Sequence, residues 1–186
     1  MNLFFLSDDP QMCAEWAVDS HCVKMILEAA QLLSTAHRIL DGTPVIEERT
    51  LASGKKRNHT NYVLPDTRNN MLYAATHINH PCAIWVRENQ NNYAWTWGYL
   101  KEHCDEYTHR YGKIHKVESS GLLKALDSIP DNITMTDYRS KRPCAMDPKY
   151  IISADPIANY RNYYKYGKAH LHKWKNRQPP EWIKEA

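Results

Sequence analysis

His21, Lys24 and Glu28 lie in the run DSHCVKMILEAAQLLSTAHR, Asp19 to Arg38. Their spacing of i, i+3 and i+7 places them on one face of a helix. An imidazole, an amine and a carboxylate arranged this way are the parts of acid–base or imine chemistry. His21 would be the base, Lys24 the nucleophile or electrophile, and Glu28 the group that orients it. Gln31 and Thr35 continue the stripe, yet residues 20 to 37 hold just one Lys and one Glu. A solvent face usually carries more charge, so the stripe is expected to be covered, where polar groups need partners and pKa values shift. The plainer reading is a structural i, i+4 ion pair of Lys24 with Glu28.

A second cluster closes a later helical segment. In EYTHRYGKIHK, Arg110, Lys113 and Lys116 gather around Gly112, with His109 and His115 beside them. This is a candidate phosphate-binding corner, or a basic helix end that complements the helix dipole. A third lies in YRNYYKYGKAHLHKWKNR, where Arg161, Lys165 and Lys168 alternate with Tyr160, Tyr163, Tyr164 and Trp174. Cations for phosphates and rings for unpaired bases fit nucleic acid. A solvated basic helix is the alternative. The charge asymmetry agrees with the first reading: residues 1–50 carry three Lys/Arg and eight Asp/Glu, residues 139–177 ten and two.

Other chemistries lose ground. His77-x-x-His80 could share a metal, but no third ligand follows at a diagnostic spacing, and His80 before Pro81 reads equally as a helix cap. No metal and no cofactor are expected, since P-loop, GxGxxG, G-x-S-x-G and kinase signatures are all absent. Five cysteines at 13, 22, 82, 104 and 144 form no close pair, so neither a disulfide framework nor a zinc ribbon is expected. No apolar run is long enough for a bilayer, and MNLFFLSDDP lacks a basic leader region. A cytoplasmic protein with no membrane partner is the expectation.

The elements that must position these residues read as mostly α. The 186 residues fit a single domain, with a helical core over 1–138 and a basic aromatic segment over 139–186. Asp9-Pro10 starts a helix expected to reach about Leu40, with Val23, Ile26, Leu27, Ala30, Leu33 and Ala36 facing the core. Residues 43–64 read as loop, and TRNNMLYAATHI as a second helix after Asp66. The segment from Cys82 to Gly112 is helical, kinked or divided at ENQNN, with Gly112 as its C′ residue. One short helix falls near Gly121–Ser128, and a last one runs from Asp155-Pro156 to about Asn176 before an extended tail, QPPEWIKEA.

The order of parts resembles small phage proteins that open with MN-x-FFL-x-x-DP and continue into His-x-x-Lys-Met-x-x-Glu. More remotely it is similar to phage pyrimidine-dimer DNA glycosylases of the endonuclease V type. That likeness rests on the short N-terminal segment before the first helix, on HPCAIW…Y…L…E-Y-x-x-R-Y-G-K-x-H, and on NYYKYGKAH. It implies a mostly helical fold, bent DNA, an extruded base, and a glycosylase with a lyase step. The nucleophile implied is a free α-amine at the mature N-terminus, assisted by a glutamate on the first long helix. Here His21 stands near the glutamate's position, the family's Thr is absent, and Asn2 follows Met1. Lys24 would then form the Schiff base, with Met1 as the other amine.

The expectation is therefore a DNA-acting, phage-type enzyme on a flipped-out pyrimidine. One alternative is a transferase that attaches an amine or amino acid to an activated, hypermodified thymine, using a small amine co-substrate. Another is a non-enzymatic DNA- or host-factor-binding accessory protein, whose helix stripe would face solvent.

Overall fold

The computed structural model describes residues 1–50 and 52–184, and it is mostly helical with one two-stranded sheet. The chain enters through its most apolar stretch. Leu3, Phe4, Phe5 and Leu6 lie outside any helix or strand and are buried to 5% exposure or less. Each such side chain contributes about 1.5–3 kcal/mol when removed from water. The start of the chain is therefore anchored against the core, with Met1 partly buried.

Asp9 then caps helix α1 (Pro10–Trp16), accepting a hydrogen bond from Gln11 N, with Pro10 at the first helical position. The long first helix expected from the sequence is in fact two. Ala17 and Val18 are extended, and α2 (Asp19–Asp41) starts afresh. The break lets α1 and α2 pack separately against α5 (Gln90–Tyr111), while α2 also contacts α4 (Pro81–Glu88). Asn89 divides α4 from α5 by capping the latter through Asn92 N at 3.0 Å, and Gly112 ends α5 in the left-handed region at φ 63°.

Residues 43–64, read as loop, form an antiparallel hairpin of β1 (Thr43–Thr50) and β2 (Lys56–Val63), with Thr43 opposite Val63 and Arg49 opposite Arg57. The Val, Ile, Thr and Tyr content suits strands, but both strands are mostly exposed, so no alternation of apolar and polar residues marks them. The second expected helix shrinks to α3 (Arg68–Met71). From Leu72 the chain is extended, because Arg38 donates to the carbonyls of Asn69, Leu72 and Tyr73 and fixes their path.

Short helices α6 (Lys116–Ser119) and α7 (Leu122–Ala125) follow. Near the C-terminus, α8 (Pro156–Asn162) gives way to a π-helical turn over Tyr163–Gly167 and a 3₁₀ turn over Ala169–Leu171, so the last helix stops well before Asn176. The tail is not wholly extended either. Glu181–Lys184 form a turn of helix, α9, and residues 185–186 lie outside the described residues. No helix among the described residues is long and apolar enough to cross a membrane.

Candidate functional site

Of the apolar face expected on α2, Ile26, Ala30, Leu33 and Ala36 are buried, but Val23 and Leu27 are 39% and 42% exposed. In the polar stripe, His21, Glu28 and Thr35 are buried, as its sparse charge indicated, while Lys24 is exposed. The N-terminal segment and the C-terminal helical turns cover that side, and they bring polar partners with them.

Glu28 is the centre of the arrangement. Its Oε2 accepts from Asn2 N at 2.7 Å and lies 3.7 Å from the Met1 α-amine. Its Oε1 lies 3.2 Å from Lys24 Nζ. The position is over-determined. The Asn2 side chain donates to Ala145 O and accepts from Tyr160 OH at 2.9 Å, and Leu3–Leu6 are locked in the core behind it. Lys24 itself is 66% exposed, so the desolvation its expected role as a low-pKa nucleophile required is not present. The other amine beside the carboxylate is that of Met1, whose side chain is buried.

His80 joins this group from the start of α4. Its Nδ1 accepts from Cys82 N at 3.2 Å, capping the helix, which leaves Nε2 to carry the proton in the neutral ring. Burial, then the positive Met1 terminus and His77, hold His80 below the ordinary histidine value, with Glu28 opposing. A neutral His80 is a hydrogen-bond donor at Nε2. His77 bonds Thr76 Oγ1 through Nδ1 and adopts φ 48°, a conformation uncommon for non-glycine residues. Among the described residues no three His, Cys, Asp or Glu side chains come together as a metal site.

His21 does not have the geometry of a base. Tyr164 OH accepts from Val18 N at 3.1 Å and donates to His21 Nδ1 at 2.7 Å. The ring's one lone pair is thus occupied. Burial, followed by Lys168 and Lys24, lowers its pKa to about 3. Stacked on Phe4 at 4.3 Å, His21 is a wall element that stays neutral.

The expected nucleic-acid residues divide. Arg110 has no donor left for a phosphate. It is 1% exposed and donates to Glu106, Asp19 and the carbonyls of Ala14, Ala17 and Glu15. Lys113 is exposed, and Lys116 opens α6. Tyr160 and Tyr164 are fully buried, their hydroxyls spent on Asn2 and Pro143 O, and on Val18 and His21. Neither can stack on a base.

Tyr163 packs between Phe4 and Tyr150, with Lys168 Nζ 5.0 Å from its ring centre. Trp174 donates to Trp16 O, and Arg161 donates to Leu6 O while lying over Trp16 and Trp182. Lys165 lies near the Tyr166 ring. Much of the basic aromatic segment is therefore glue that docks it on the core. The charges of Lys168 and Lys24 act on His21.

Burial pushes the thiols of Cys13, Cys22, Cys82 and Cys104 up to about 12, so they are not thiolates at neutral pH. The residues that sequence reasoning undervalued are Met1, Asn2 and His80. The run of four apolar residues straight after Asn2 was the available signal, since burying it must draw the terminus inward. No known protein family matches the chain, and neither a curated protein nor a solved structure does.

Proposed function

We propose that the protein is a DNA-acting enzyme that works on an extruded pyrimidine nucleotide with its own α-amine as the nucleophile, in the manner of a glycosylase. The observation that carries this reading is the Met1 amine 3.7 Å from the buried Glu28 carboxylate. As a class, α-amines titrate at about 7.7–8.0 against about 10.4 for lysine, so more of an α-amine is unprotonated at neutral pH. In the proposed step the amine attacks C1′ of the sugar. A C–N bond forms, the bond from C1′ to the base breaks, and the base leaves with its electron pair and takes up a proton. Glu28 takes the proton the amine sheds; the C1′–O4′ bond of the sugar then breaks, O4′ takes up that proton, and the carboxylate faces the positive charge of the resulting iminium. The Nε2–H of His80 is the neutral donor for a sugar or base oxygen.

Glu28→Gln tests the reading. It keeps the shape and the Asn2 contact but removes the charge. Borohydride trapping on UV-irradiated duplex should fall at least a hundredfold with folding intact. Unchanged trapping would remove Glu28 from the chemistry.

A second reading draws on Lys24 and Lys168, whose charges act on His21. Cations so grouped suit a leaving pyrophosphate. A transferase would form a C–N bond from an amine to an activated thymine methylene as its C–O bond to pyrophosphate breaks. Pyrophosphate release from DNA bearing such a thymine, dependent on added amine, would favour it over the glycosylase.

A further inference from the structure

A cleft that Met1 does not line lies between the hairpin and segment 75–78. It has a volume of about 580 Å³ and is lined by Arg49, Arg57, His59, Tyr62, Thr76 and His77 among others. No carboxylate is among its described lining residues. Arg49 and Arg57 are direct cross-strand partners. Like charges so placed destabilise a strand pair. Arg49 lies 3.6 Å from Glu47, but Arg57 has no ion pair among the described residues. Like-charged guanidinium groups facing each other at a concave site are what an anion would relieve.

The cleft floor is tied to the amine site. Thr76 and Thr35 exchange two hydrogen bonds, Thr76 N to Thr35 Oγ1 at 3.1 Å and Thr35 Oγ1 to Thr76 O at 3.3 Å. Thr35 is seven residues beyond Glu28 on α2, hence about 10 Å along the helix. That is roughly three nucleotide steps of a duplex strand at 3.4 Å each. His77, at the cleft, also acts electrostatically on His80. We infer that the hairpin cleft is a phosphodiester-binding groove in which Arg49 and Arg57 hold the DNA strand that leads to the Met1–Glu28 site. The inference rests on the DNA reading above and gives it a binding surface.

The test is Arg49→Gln/Arg57→Gln. The probe is a fluorescein-labelled duplex with a tetrahydrofuran abasic analogue, which has no aldehyde and so reports binding alone. Both arginines are on the exposed hairpin, and unchanged circular dichroism checks the fold. Loss of two phosphate contacts should make the salt dependence of log K shallower by about 1.8. The affinity advantage of the unmodified protein over the variant should then shrink about twelvefold between 50 and 200 mM salt. An unchanged slope, an absence of DNA binding by the unmodified protein, or preference for the matching RNA duplex would each overturn the assignment. Trapping by the unmodified protein is read separately, so loss of the salt effect and loss of imine chemistry are distinguishable outcomes.

Discussion

Three histidines are built into the interior in their neutral form, which makes folding acid-sensitive in a definable window. Burial lowers His21 to about 3 and His37 and His103 to about 4, from 6.5. His37 Nε2–H donates to Tyr93 OH, which passes its own proton to Leu126 O. His103 donates from Nδ1 to Tyr99 O. Below pH 6.5 the unfolded chain binds protons that the folded one refuses, so stability is fully present above that value and lost as pH falls toward the folded pKa values. At pH 5 each site has lost about 2 kcal/mol, since 1.5 units lie below 6.5 at 1.36 kcal/mol per unit. Three such sites lose about 6 kcal/mol, comparable to the entire stability of many domains.

Carboxylates do not confuse the window. For Asp41 and Glu106 burial alone would raise the pKa. Hydrogen bonds from Asp131 N, Asn132 and Arg68 to Asp41, and from Arg177 and Arg110 to Glu106, outweigh it. Their contribution is lost only below the unfolded values of 3.8 and 4.5. Urea unfolding at pH 7.5, 6.5, 5.75 and 5, at constant ionic strength, reads the slope directly. His103→Phe keeps a ring against Tyr99 and should reduce the pH dependence by about one third. A midpoint that does not move between pH 6.5 and 5 would refute the reasoning.

Arg110→Ala leaves Glu106 with Arg177 alone and removes five hydrogen bonds, those to Glu106, Asp19 and the carbonyls of Ala14, Glu15 and Ala17. It should cost about 3–5 kcal/mol, visible as a large fall in thermal midpoint, with an unaltered salt slope for any DNA binding by the folded fraction. Lys24→Ala removes the exposed cation of an i, i+4 pair whose buried carboxylate, Glu28, keeps its contacts with Asn2 N and the Met1 amine. Stability should change by less than about 0.5 kcal/mol, while activity falls if Lys24 engages substrate. Lost helicity by circular dichroism would instead assign it a structural role.

The helical class was legible because caps are local. Asp9-Pro10, His80-Pro81, Asn89 and Gly112 each act through atoms within a turn of themselves. Glu28 and Lys24 were legible as a pair for the same reason. What the sequence hid is non-local. Val23 and Leu27 are outside, and the cover over His21 comes from Phe4, Tyr163 and Tyr164, brought from the two ends of the chain to one side of α2. Arg110 reads as a phosphate ligand until Asp19 and the end of α1 fold over it. The hairpin is mostly exposed on both faces, so it leaves no period-2 signal.

The central claim is that the α-amine of Met1, and no lysine, is the reactive group. The protein should be mixed with UV-irradiated and unirradiated duplex DNA, reduced with borohydride, digested, and the modified peptide identified by mass spectrometry. The account predicts an adduct that depends on irradiation, at the α-nitrogen of Met1, and that disappears when the terminus is acetylated. An adduct at Lys24, or DNA binding with no adduct at any amine, would contradict it.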